Sequence, residues 1–160
     1  MARRRRRKEP EVGPGRILRS FSGEEPAQWA EQWLDVFGRQ RHGVNTKAYL
    51  WHVFSFERFP SLSRNAACEA YRRHTAPEYV LLSNDRDFAV ATDLRPEACT
   101  LVDYCVFPPN LAWTMAFTHE DGRLGPYFAR HPDYERLNKA NRAKLEKQRQ
   151  AEAAKLKGWR

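Results

Sequence analysis

Acid–base, nucleophilic or metal chemistry in this chain would have to come from its five histidines, its three cysteines and the carboxylates near them. The densest stretch is Ala112-Trp113-Thr114-Met115-Ala116-Phe117-Thr118-His119-Glu120. Strand alternation places Trp113, Met115, Phe117 and His119 on one face, with Thr114, Thr118 and Glu120 on the other. His119 is thereby expected at the end of an aromatic row that belongs in a core. Three roles are open to it there: general base, metal ligand, or structural histidine bonded to the following turn. It has no local partner at metal-ligand spacing, which favours the structural role and predicts no metal site. An enzyme built here would use His119 with Glu120, His52, Tyr127 or Asp103, and would need a pocket in which they converge. Nearby, Gly125 before Pro126 reads as an extended kink that lets a neighbouring backbone come close, with Tyr127 and Phe128 on opposite faces.

Cys68, Cys99 and Cys105 are odd in number and lack C-x-x-C or C-x-x-H spacing. Neither a disulfide framework nor a zinc cage is expected, and the three read as small buried hydrophobes. No cofactor is expected.

The charge is more informative than these candidates. The chain has 160 residues and a formal net charge of +8. Residues 1–20 carry +6 and residues 136–160 carry +7, which leaves −5 for residues 21–135. A mildly acidic body is thus flanked by two strongly basic ends. Arg and Lys neutralise phosphates and release counterions, giving salt-sensitive affinity for nucleic acid. The residues expected to do so are Arg3, Arg4, Arg5, Arg6, Arg7 and Lys8 at one end. At the other they are Lys139, Arg142, Lys144, Lys147, Arg149, Lys155 and Lys157. The competing reading is that the tails only confer solubility and fold back onto the acidic body.

Three units must carry these residues. Residues 1–21 read as a disordered Arg-rich arm, interrupted by Pro10, Gly13, Pro14 and Gly15. Residues 22–132 read as a compact α+β domain with a mostly antiparallel sheet, a meander packed with an N-terminal amphipathic helix. Residues 133–160 read as a long basic helix whose last two-thirds project from the body. In the body, Trp29, Trp33 and Phe37 recur at helical spacing and predict a core-facing helix over 25–37. The aromatic run 48–56 predicts a central strand, and Ser63 caps a helix reaching about His74. Strands are expected at 79–82 and 88–91, then three more over 100–107, 111–118 and 124–129, joined by tight turns.

Two motifs, 113–120 and Gly125-Pro126-Tyr127-Phe128, together resemble the C-terminal signature of a small bacterial family classed as a domain of unknown function. The run Tyr49 to Phe56 is similar to that family's earlier aromatic strand. The resemblance covers approximately residues 25–130. It implies a bacterial cytoplasmic protein with a compact α+β domain, and it brings no activity or catalytic residue with it.

No apolar run approaches the roughly 20 residues that span a bilayer, and no apolar segment follows the basic N-terminal run. A cytoplasmic, non-membrane protein is therefore expected. The leading expectation is a non-enzymatic binding protein whose body recognises a protein partner. Its basic ends would contact nucleic acid, a ribonucleoprotein or another polyanion. The rivals are an immunity-type protein whose acidic body neutralises a basic toxin, and an enzyme using His119.

Overall fold

The computed structural model of the chain describes residues 9–158. Its centre is a seven-stranded sheet in which every neighbouring pair is antiparallel. Numbered along the chain, its strands are β2 (Ile17–Phe21), β3 (Leu62–Ser63), β4 (Tyr79–Ser83), β5 (Ala89–Thr92), β7 (Tyr104–Phe107), β8 (Trp113–Phe117) and β9 (Tyr127–Arg130). They lie in the order β2-β5-β4-β7-β8-β9-β3. The run β7-β8-β9 is the expected meander. A separate ribbon pairs β1 (Val12–Gly13) with β6 (Ala98–Cys99).

Three of the helices follow the sequence patterns closely. Helix α1 (Glu25–Phe37) has Pro26 in its first turn, where a missing N–H costs nothing, and stops at Gly38. It buries Ala30, Trp33, Leu34 and Phe37 on one sheet face, while Trp29 is half-buried. The Trp33 indole donates to Thr114 Oγ1 at 2.9 Å, so its polar atom is satisfied inside the core. Helix α3 (Arg64–Arg73) lays Ala67 and Tyr71 on the opposite face. Helix α4 (Tyr134–Lys157) packs beside it through its first turns only. Asn141 is buried there and exchanges hydrogen bonds with Asn110 at 3.0 and 3.1 Å. The His74 Nδ1–H donates to the Ala70 carbonyl, and its Nε2 accepts from the Tyr134 hydroxyl at 2.7 Å, tying α3 to α4.

Two expectations are corrected. The run 48–56 is no strand: it is a turn leading into the short helix α2 (His52–Ser55). Leu50, Trp51, Val53 and Phe54 are buried, a spacing that suits one side of a helical turn rather than alternate strand positions. Local bonds such as Phe54 N–H to Trp51 O at 3.0 Å replace a ladder. The Asn84 side chain pins the segment to the β4–β5 turn by accepting from Leu50 N–H and donating to Ala48 O. The aromatic residues favour strands only in context, and here they fill the space between α1 and a finished sheet.

Residues 9–21, expected within a disordered arm, contain β1 and β2. Strand β2 pairs with β5 from Ile17 to Phe21, and Arg16 N–H donates to Asp93 Oδ1 at 2.6 Å. An edge strand is held by backbone bonds, so it can leave Ile17 and Leu18 nearly half exposed. That is why composition concealed it. Arg3 to Lys8 lie outside the described residues.

Candidate functional site

Strand β8 ends at Phe117, and the chain turns before His119. Thr118 donates through both its N–H and its hydroxyl to Asp121 Oδ1, at 3.0 and 2.9 Å. Gly122 completes the turn with φ +92°, a left-handed conformation that other residues rarely adopt. A Cβ on Gly125 would lie 2.8 Å from Asp121 Oδ1 and 2.9 Å from Thr118 Oγ1. The close approach expected at this glycine is therefore to side chains of the turn. Burial raises the Asp121 carboxyl above the usual carboxylate range, and the two Thr118 bonds oppose that shift.

The turn carries His119 out of the row formed by Trp113 and Met115. Those two pack on the α3 face, whereas His119 contacts the Tyr49 and Trp51 rings at 5.0 and 5.7 Å, on the α1 face. The expected core position is thus corrected: the His119 side chain is 40% exposed. Alternation fails because the strand is already over.

Asp103, just before β7, holds this histidine. It accepts from His119 N–H at 3.1 Å, from His119 Nδ1–H at 3.0 and 3.2 Å, and from the Trp51 indole at 3.1 Å. A carboxylate on Nδ1 fixes the tautomer and leaves the Nε2 lone pair free to accept a proton. Glu120 Oε1 stands 3.9 Å from that nitrogen. Tyr127 stacks on Trp51 at 6.2 Å, and its phenol is raised first by burial and then by Glu120 and Asp121. His52 reaches the cluster through Tyr49 and Trp51, at 5.3 and 4.7 Å, and its Nδ1 meets Asn45 O at 3.2 Å.

His119, Glu120, His52, Tyr127 and Asp103 are therefore neighbours. Tyr49 and Trp51, which complete the group, escaped sequence reasoning as site residues. Only the tertiary fold brings them there, and no spacing announces it. The arrangement can move a proton at Nε2. Burial pushes the Cys105 thiol up to about 12 and also raises Cys99, which disfavours the thiolate of each, while Cys68 packs on the opposite, α3 face. Among the described residues no group of three or more His, Cys, Asp or Glu is placed to hold a metal ion. A cavity of about 680 Å³ reaches Tyr127 from the side of Phe54, Ser55, Arg58 and Phe59.

The second candidate surface is α4, whose 24 residues span about 36 Å. Its contact seam with the body is Tyr134, Leu137, Asn138, Asn141 and Leu145, at i, i+3, i+4, i+7 and i+11. None of the seven expected cations is packed in that seam, although at 100° per residue Arg149 lies about 20° from Asn138 and Lys155 falls in line with Leu137, both of them beyond Leu145. Lys139, Arg142, Lys144, Lys147, Arg149, Lys155 and Lys157 are all exposed, and none forms an ion pair among the described residues. The helix places its salt bridge at its base, between Arg136 and Asp133. At 100° per residue, Lys144, Lys147 and Lys155 share one flank with Ala140, Ala151 and Ala154. Lys139, Arg142, Arg149 and Lys157 share another with Glu146.

Among the described residues no helix is long and apolar enough to cross a membrane. No curated protein and no solved structure matches the chain. Residues 27–128 match the family described as a domain of unknown function, DUF4275, a stretch that begins in α1 and ends in β9. The match covers the expected 25–130 almost entirely, includes the His119 cluster, and leaves α4 outside. On that match, the chain belongs to the DUF4275 family.

Proposed function

We propose that this is a non-enzymatic binding protein whose C-terminal helix, together with the Arg-rich N-terminus, grips nucleic acid, a ribonucleoprotein or another polyanion. The α+β body would serve as the platform that meets a protein partner. One observation carries the reading: seven cations stand exposed on α4, none of them buried against the body and none in an ion pair among the described residues. Their role is phosphate neutralisation without reading of base identity. The alanines between Lys144, Lys147 and Lys155 offer little steric bulk, so that flank can lie close to a phosphate backbone. Equilibrium binding to duplex and single-stranded nucleic acid over a salt series tests this. A flank neutralising three phosphates gives a log–log slope of about −2.7, or roughly 40-fold weaker duplex binding at 200 than at 50 mM salt. Salt-independent binding, or none at low salt, would defeat the proposal.

A second reading is favoured by the hold of Asp103 on His119 Nδ1, which leaves the Nε2 lone pair of this partly exposed side chain able to accept a proton. In this reading His119 is a general base, Asp103 its positioning residue and Glu120 the neighbouring proton carrier. Nitrogen NMR of the imidazole tests it: the Nδ1–H tautomer must dominate when the ring is neutral. A dominant Nε2–H tautomer would remove the reading.

A further inference from the structure

On the α3 face, away from both candidate sites, a cavity of about 340 Å³ opens between α3, the loop following β5, and β8. That volume falls in the range of small-molecule sites. Met115 and Tyr71 are buried in its floor and Phe117 is half-buried, while Arg95 and Arg72 supply positive charge. Cys68 and Glu97 also line it.

The arginine is held in an unusual way. The guanidinium of Arg95 lies 5.5 Å from the centre of the Tyr71 ring, and only 18% of its side chain is exposed. Its Nη1 donates to Arg72 O at 2.6 Å and to His74 O at 3.2 Å, which fixes the plane of the group. Nε is shielded from water and, among the described residues, has no hydrogen-bond partner. Among the described residues Nη2 has only a long contact, 3.5 Å to Glu97 Oε1, and the Glu97 side chain is itself 62% exposed. Nε and Nη2 form one edge of a guanidinium, the edge that takes a carboxylate side-on through two parallel N–H···O bonds. In Arg95 that edge carries at most the long Glu97 contact. A buried donor without a partner is costly and needs a reason.

We infer that this cavity binds a small organic acid, a carboxylate with a short apolar body. The carboxylate takes the Nε–Nη2 edge of Arg95 where the Glu97 carboxylate now lies, and Glu97 swings into solvent. The apolar body rests on Met115, Phe117 and Tyr71. Arg72 adds charge at the wall. Inorganic phosphate lacks the apolar part and a neutral alcohol lacks the charge, so each makes only half of the interaction.

The full chain, titrated with hexanoate, hexanol and inorganic phosphate, tests the assignment. The readouts are the Arg95 Nε–H resonance in nitrogen–proton NMR and the rate of Cys68 alkylation. Hexanoate is expected to shift the Nε–H signal saturably and to slow alkylation, whereas hexanol and phosphate bind at least tenfold more weakly. Glu97→Gln, at an exposed side chain, removes the competing carboxylate and is expected to tighten hexanoate about two- to fivefold. Arg95→Lys keeps the charge, loses the side-on edge, and is expected to abolish the preference for acid over alcohol. An unmoved Nε–H signal in both wild type and Glu97→Gln overturns the inference. Equal binding of hexanol and hexanoate overturns it as well.

Discussion

Replacing Asp103 by Asn is the most revealing change at the His119 cluster. The carboxylate accepts from the Trp51 indole, from His119 N–H and from His119 Nδ1–H. An Asn of the same shape keeps one oxygen for two of these donors. Its amide nitrogen is a donor, so it opposes the Nδ1–H and forces the imidazole towards the Nε2–H tautomer. Bonds to a charged acceptor contribute about 1.5–3 kcal/mol each and neutral ones about 1 kcal/mol. With His119 partly exposed, the expected net loss is about 1–2 kcal/mol. Asp103→Ala goes further: it strands the buried Trp51 indole and costs about 2–4 kcal/mol. Urea unfolding measures both losses, and nitrogen NMR of His119 reads the tautomer. If Asp103→Asn unfolds at the wild-type urea midpoint and leaves the His119 nitrogen shifts unchanged, the three-donor account of Asp103 is wrong.

Other outcomes follow from packing and titration. Asn141→Ala leaves the Asn110 amide half-paired and is expected to cost about 1–3 kcal/mol, with faster hydrogen exchange confined to the first turns of α4. Trp33→Ala empties the space between α1 and the sheet and is expected to lower stability by about 3–5 kcal/mol by urea unfolding, if the variant folds. His74 is held neutral chiefly by burial, so its folded value lies below the ordinary 6.5 and the unfolded chain binds the proton first. Its contribution is therefore complete above pH 6.5 and is lost as pH falls below that value. A thermal series from pH 7.5 to 5 is expected to show the melting temperature falling, and His74→Gln is expected to flatten that dependence.

Part of this fold is legible in the sequence alone. The Trp29, Trp33 and Phe37 spacing marked α1 because one side of that helix faces a core and the other faces water. The turn residues Pro108-Pro109-Asn110 and Asp121-Gly122 marked the β7-β8-β9 meander, and the composition of residues 134–157 marked α4. The misreadings share a cause. Residues 48–56 are apolar because they fill a gap between layers, and burial of that kind has no period from which strand and turn can be told apart. Strand β2 is the reverse case, an exposed edge held by backbone bonds that side-chain polarity does not report. At the His119 cluster, the residue types able to carry a proton are legible. Their assembly is not, because Trp51 and Asp103 meet across 52 positions of chain.

The central claim is that α4 is a polyanion-binding surface. The decisive comparison is between wild type and a variant carrying Gln at Lys139, Arg142, Lys144, Lys147, Arg149, Lys155 and Lys157. Gln has nearly the helix propensity of Lys and Arg, so α4 should persist by circular dichroism. Duplex affinity of both proteins is measured from 50 to 200 mM salt. The account predicts that the variant's log–log slope is shallower by about 2.7 and that its low-salt affinity falls by at least an order of magnitude. A variant that retains the wild-type slope and affinity would show that these cations do not touch the polyanion.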